Sequence, residues 1–264
     1  MARLSSSFKR LSPAYKALIA LVAPIGTIVG MLLALGIISP LGDDALAAGI
    51  DRTAGAGSAA VDIVFDSDDV SFDATGDFDY RSRRALLRYD YSRTPGAESL
   101  TDVEVVYTRD QAYMRLGAGR RPWIHADLAT AEEDLAEFAE AVGGDVPTGG
   151  LSSFAAFDFT DPSQALAQLR RATAVEEIGS ETIFGVPTTG YRGRVRNRDG
   201  EPATVSAWVG GDDLIRRLRV ESGEIEVTMD FSEFGKPVDV TVPRSGQVQE
   251  LGDVLVRLQE QLLG

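Results

Sequence analysis

His125, in the stretch Pro122-Trp123-Ile124-His125-Ala126-Asp127, is the only histidine of the chain, and there is no cysteine at all. That removes most of the usual chemistry. Zinc sites draw on several His and Cys side chains, and a Ser-His-Asp triad needs a histidine held between two partners. Without cysteine there is no disulfide, no thiolate nucleophile and no cysteine to carry a lipid. Acidic pairs occur at Asp43-Asp44, Asp68-Asp69 and Asp212-Asp213, but none has the spacing of a calcium loop. Glu132-Glu133-Asp134 reads as the first turn of a helix, where carboxylates favour the dipole. No nucleophile elbow, phosphate-binding loop or dinucleotide fingerprint is present. These residues point to no catalytic site, no metal and no cofactor, and His125 reads as a surface residue near a strand end.

The charge narrows the partners. The formal net charge is −14 over 264 residues. A nucleic-acid binder needs a basic footprint, which this chain lacks, and broad docking on anionic lipid heads is disfavoured for the same reason.

The elements that must carry any function begin with an apolar run. Residues 17–41 contain no charge, with Lys9, Arg10 and Lys16 before them and Asp43 and Asp44 after. As a helix this run would be roughly 37 Å long, enough to cross a hydrocarbon core of about 30 Å. The flanking charges predict residues 1–16 in the cytoplasm, 17–41 as a transmembrane anchor and everything beyond outside. The rival reading is secretion after cleavage near Ala47, because Ala45-Leu46-Ala47 fits an A-x-A site. The apolar run exceeds the usual signal core, which favours the anchor. Residues 42–60, rich in Gly and Ala, read as a flexible linker.

Beyond the linker the pattern alternates. In Val70–Tyr80, Val70, Phe72, Ala74, Gly76, Phe78 and Tyr80 share one parity, and Ser71, Asp73, Thr75, Asp77 and Asp79 share the other. Such a strand has one apolar and one wet face. Further runs place Leu87, Tyr89, Val105, Tyr107, Met114, Tyr191, Val195, Val227, Met229 and Phe231 on apolar parities, with Leu86 an exception. Turn residues separate the runs, Ser222-Gly223 being the tightest hairpin signal. About 10–11 mostly antiparallel strands follow, in an α+β domain over residues 61–244. Thr130 and Glu133 form a capping box ahead of a helix carrying Leu135, Phe138 and Val142. Asp161-Pro162 opens a second helix. Residues 245–264 step Val248, Leu251, Leu255, Leu258 and Leu262 by threes and fours, a C-terminal amphipathic helix.

A sheet of ten such strands measures roughly 48 by 20 Å, and two helices about 10 Å wide cover less than half of it. The apolar face must curl on itself, fold into two layers or hold something apolar, since an open patch that large invites association. The wet face looks bland. Asp73, Asp77 and Asp79 are expected opposite Arg84 and Arg88, and Arg192, Arg194 and Arg196 opposite Glu221, Glu224 or Glu226.

Three motifs in order carry a resemblance. Asp161, Pro162, Leu166, Leu169, Val175, Glu176, Gly179, Gly185, Val186, Thr188 and Tyr191 match a helix-then-strand segment of the LppX/LprG group of actinobacterial lipoproteins. VSAWVGGDDLIRRLRVE (205–221) and FSEFGKPVDVTVP (231–243) are similar to its later segments. The resemblance implies a strongly curved antiparallel half-barrel, the architecture of LolA and RseB, with two to three helices covering its concave face. It also implies an apolar cavity for acyl chains. The candidate lining is Phe72, Phe78, Tyr80, Leu87, Tyr89, Val105, Tyr107, Met114, Tyr191, Val195, Val227, Met229 and Phe231. Arg216 and Glu233 are the polar misfits near strand ends, placed to meet a headgroup. The chain departs from the group in lacking the lipobox cysteine and in carrying the C-terminal helix.

The reading that follows is a membrane-anchored, extracytoplasmic binder of a lipid or lipid-linked glycan. The alternatives are an RseB-like sensor engaging an envelope protein, and a structural module whose core is filled and ligand-free.

Overall fold

The computed structural model describes residues 44–68, 70–95, 97–117, 122–141, 172–196 and 202–263. The apolar run 17–41 and the helix expected from Asp161 lie outside them. Among the described residues, no helix is long and apolar enough to cross a membrane.

The first described element is helix α1 (Asp44–Gly55). This corrects the reading of 42–60 as a flexible linker. Leu46, Ile50 and Thr53 recur at three- and four-residue spacing and are all buried. The small residues that suggested flexibility are what let the helix approach the sheet. A Cβ on Gly49 would stand 3.2 Å from Val209 Cγ1. The Ile215 backbone N–H donates to the Thr53 hydroxyl at 2.9 Å, tying the helix to a strand end.

Six strands follow as a meander: β1 (Ser58–Asp66), β2 (Ser71–Asp79), β3 (Arg84–Asp90), β4 (Thr101–Tyr107), β5 (Gln111–Leu116) and β6 (Trp123–Asp127). Helix α2 (Ala131–Ala141) comes next, buried through Ala131 and, from the expected stripe, Leu135 and Phe138; Val142 lies outside the described residues. A second meander is formed by β7 (Thr173–Ile183), β8 (Val186–Arg196), β9 (Pro202–Gly210), β10 (Ile215–Ser222) and β11 (Ile225–Ser232). Gly223, at φ 58°, turns the β10–β11 hairpin. A 3₁₀ turn (Ser245–Gln247), a short strand β12 (Val248–Glu250) and helix α3 (Leu251–Leu263) are the last described elements. The C-terminal helix therefore begins later than 245, because Val248 and Glu250 extend the sheet beside β6 instead.

The described strands form one 12-stranded sheet in the order β12-β6-β5-β4-β3-β2-β1-β11-β10-β9-β8-β7. It exceeds the expected 10–11 strands by the short β12, which runs parallel to β6. Every other pairing is antiparallel. The two meanders meet where β1 lies against β11, with Ala60 opposite Ser232 and Asp66 opposite Glu226. A large open antiparallel sheet with three helices on one side is consistent with a half-barrel.

The alternating parity decides what lies inside. Val61, Ile63, Phe72, Leu87, Val105, Met114, Val205, Leu218, Val227 and Met229 project from one face into a single buried cluster. Leu46 and Ile50 of α1, Leu135 and Phe138 of α2, and Leu251 and Leu255 of α3 close over it. Burial of large apolar side chains at about 1.5–3 kcal/mol each makes this cluster the main stabilising term.

The outer face is not uniformly bland. Val106, Tyr113 and Val240 are buried there, with Leu86, Trp123, Val238, Val242 and Val248 packed against them. The segment after β11 runs across this face to reach β6. Ser58 Oγ donates to the Lys236 carbonyl at 2.5 Å near its start. This second cluster explains why Leu86 breaks the alternation of its strand: both faces are covered at that point. The expected ion pairs also differ. Asp79 does face Arg84, but Arg88 lies opposite Thr75 and pairs with Glu104 at 3.5 Å. Arg192 faces Glu176, and Arg194 faces Thr173, on β7. The carboxylates at 221, 224 and 226 belong to the β10–β11 hairpin, on the far side of β9.

Candidate functional site

The candidate lining residues are brought together by strand pairing. Phe72 sits opposite Phe65, Tyr89 opposite Ala74, Val105 opposite both Leu87 and Met114, and Met229 opposite both Ile63 and Leu218. Phe72, Phe78, Tyr80, Leu87, Tyr89, Val105, Tyr107, Met114, Val195, Val227, Met229 and Phe231 are all buried in the inner cluster. Tyr191 is half-buried at its margin. No Asp, Glu, Lys or Arg is buried among the described residues.

Aromatic rings concentrate on β1–β4. Phe65 and Phe72 stack at 4.9 Å, and Phe72 lies 5.4 Å from Tyr89 and 5.3 Å from Tyr91. The Tyr89 and Tyr91 rings stack at 6.1 Å. At the other end of β2, Phe78 lies 6.2 Å from Tyr80 and 6.3 Å from Phe231. Offset and tilted contacts of this kind add to plain area burial.

The face also holds phenol groups. The Tyr89 and Tyr107 hydroxyls hydrogen-bond to each other at 3.1 Å. The hydroxyls of Tyr80 and Tyr91 are buried without a hydrogen-bond partner. Burial pushes all four phenols well above the ordinary value, so they stay neutral. Tyr91 escaped the candidate lining although it continues the parity of Leu87 and Tyr89. The alternation was legible there, but the residue falls one step past the end of β3.

The polar misfits are engaged locally. Arg216 sits at an irregularity in the β9–β10 register, pairs with Asp212 at 2.5 Å and lies 4.8 Å over the Phe234 ring. Glu233 pairs with Lys236 at 2.5 Å. His125 departs from the surface reading. It lies within β6, its side chain 16% exposed, packed 5.0 Å from the Tyr113 ring, and its Nδ1 contacts Glu250 Oε2 of β12 at 2.7 Å. No group of three or more His, Cys, Asp or Glu among the described residues is arranged to hold a metal ion.

Comparison with solved structures finds LppX of Mycobacterium tuberculosis, at 17% identity, covering 76% of this chain and 100% of that one with a TM-score of 0.45. LprF of Mycobacterium bovis matches at 14% identity over 76% of this chain and 96% of that one, with a TM-score of 0.49. The fold resembles that of the LppX and LprF lipoproteins. The MucA/MucB complex of Pseudomonas aeruginosa also matches, at 13% identity over 78% of this chain and 60% of that chain, with a TM-score of 0.34. Among curated proteins, an uncharacterized 31.2 kDa protein from the rplA-rplJ intergenic region of Streptomyces griseus is 25% identical over 187 residues. That match spans 58% of each protein, so the chain covers little more than half of this relative's length. No family model matches the chain.

Proposed function

We propose that this protein binds a lipid or lipid-linked glycan outside the cytoplasm, taking its acyl chains against the inner face of the sheet. The observation that supports this is the continuous apolar field that β1–β6 and β8–β11 present on one side, without a buried charge among the described residues. An acyl chain laid on that field gains about 0.8 kcal/mol per CH₂ removed from water. Phe72, Phe78, Tyr80, Leu87, Tyr89, Val105, Tyr107, Met114, Tyr191, Val195, Val227, Met229 and Phe231 are the residues proposed to meet it. In this proposal residues 17–41 tether the domain to the membrane with residues 1–16 inside. A tethered binder hands its ligand over close to the bilayer and does not shuttle across an aqueous space.

Native mass spectrometry of the intact chain after gentle extraction tests the reading. A lipid mass carried by wild type and lost in Val227→Asp or Met229→Asp supports it. A folded chain that carries no lipid and displaces no fluorescent fatty-acid analogue refutes it.

One observation favours a second reading. Phe72, Leu87, Val105 and Met114 are wholly buried by the protein's own atoms. A face that is already closed suits a sensor or a structural module whose partner binds elsewhere. A chain that refolds from denaturant without lipid, with unchanged stability, and then captures an envelope protein would support this alternative.

A further inference from the structure

The inner face carries four buried phenols, and one of these is placed as a recognition group. Tyr91 is 0% exposed, and its hydroxyl has no hydrogen-bond partner. A buried hydroxyl that makes no hydrogen bond is a cost that a phenylalanine would avoid. The residue is nonetheless held firmly. Its backbone N–H donates to the Leu100 carbonyl at 2.9 Å, and its carbonyl accepts from the Thr94 N–H at 2.8 Å. Its ring is fixed 5.3 Å from Phe72 and 6.1 Å from Tyr89. Nothing in the folding of the loop requires the oxygen, because both backbone bonds and both ring contacts survive its removal.

We infer that the Tyr91 hydroxyl, beside the hydrogen-bonded Tyr89–Tyr107 pair, is a buried donor for a neutral oxygen acceptor on the bound lipid, such as an acyl-ester carbonyl. This rests on the lipid-binding reading above and specifies the ligand's chemistry. The acceptor must be neutral. No cation is buried on this face among the described residues, so a carboxylate or phosphate would be desolvated without compensation. Burial keeps the phenol protonated, and it therefore offers a proton to share. A carbonyl has two lone pairs and no donor, and a single phenol satisfies it. Since Tyr91 is wholly buried here, an ester reaches its hydroxyl only by displacing side chains of the inner cluster. The same hydroxyl then discriminates against a bare hydrocarbon, which leaves it unpaired.

The test uses the intact chain in one detergent, loaded with diphenylhexatriene, a fluorescent hydrocarbon. Displacement is measured with methyl palmitate and with heptadecane, chains of similar length with and without an ester. Wild type should prefer the ester by about tenfold, the value of one hydrogen bond. Tyr91→Phe should bind the two equally, and it should unfold at a higher temperature than wild type when empty, because the unpaired hydroxyl is gone. An ester preference that survives in Tyr91→Phe overturns the inference while leaving lipid binding intact. So does a Tyr91→Phe chain less stable than wild type, which would show the hydroxyl to be structural. Loss of the preference in Tyr80→Phe instead moves the donor to the other end of β2 and also overturns the assignment. If wild type takes up neither diphenylhexatriene nor either competitor, the lipid-binding reading itself fails.

Discussion

Raising the pH should unfold this protein through its interior. Tyr80, Tyr89, Tyr91 and Tyr107 are buried, and burial raises each phenol above its ordinary value near 10; neighbouring phenols raise Tyr89 and Tyr91 further. The folded chain keeps these protons where the unfolded chain would release them. Their contribution is therefore complete below about pH 10 and is lost as the pH climbs toward the folded values. At about pH 11 each phenol that stays protonated in the fold but ionises on unfolding lowers stability by about 1.4 kcal/mol. Four together remove about 5–6 kcal/mol, comparable with the whole stability of an ordinary domain at about 5–15 kcal/mol. Denaturant unfolding followed between pH 8 and about pH 11, with phenolate absorbance recorded in parallel, measures both quantities. The absorbance change of these tyrosines should coincide with unfolding. Tyr89→Phe and Tyr91→Phe should each flatten the alkaline slope by one group. If phenolate appears for all seven tyrosines near pH 10 while the fold persists, these rings are reached by water and the closed inner face is wrong.

Other outcomes are equally specific. Phe78→Ala removes a buried ring packed on Tyr80 and Phe231 and should cost about 3–5 kcal/mol in denaturant unfolding. A much smaller loss would mean that the ring borders empty space. Gly76→Ala would place a Cβ 1.9 Å from the Leu86 carbonyl oxygen, so it should destabilise by about 3 kcal/mol or fail to fold. Val240→Asp puts a charge into the outer cluster with Val106 and Tyr113 and should cost about 3 kcal/mol. Limited proteolysis should then cut between residues 236 and 244 faster than in wild type.

Much of the sheet was legible because its strands obey a period of two. Phe72 through Phe78 could be assigned to one face from alternation alone, and the pairing of β2 with its neighbours follows that assignment. Short-range rules located the start of α2 just after Thr130 and the Ser222-Gly223 turn for the same reason: the information lies within a few residues. Helix α1 was missed because its apolar stripe is only Leu46, Ile50 and Thr53 among alanines and glycines. Small residues read as flexibility until the strand they approach is known. The outer cluster was missed because it joins Tyr113 and Trp123 to Val240, far along the chain, and no periodicity reports a contact of that range. His125 was read as exposed for a similar reason, since its cover arrives with Glu250. At the candidate site the apolar parity could be read, but the fate of single hydroxyls could not. Whether Tyr89 finds Tyr107 or Tyr91 finds nothing depends on ring geometry across strands.

The seam between β1 and β11 bears on the order in which this chain acquires its shape. Strand β1 is among the first to be synthesised, yet its second neighbour is the last long strand of the sheet. Until residues 225–232 emerge, the early meander carries an open edge along Ser58–Asp66, with Val61, Ile63 and Phe65 facing inward and no partner to close the row. Joining the two halves closes a very long loop, the kind of contact that slows folding. A chain synthesised from its N-terminus waits in that half-built state, exposed to strand-to-strand association with other nascent copies. Asp62 and Asp66, spaced along the waiting edge, place repelling charges between like strands until β11 arrives.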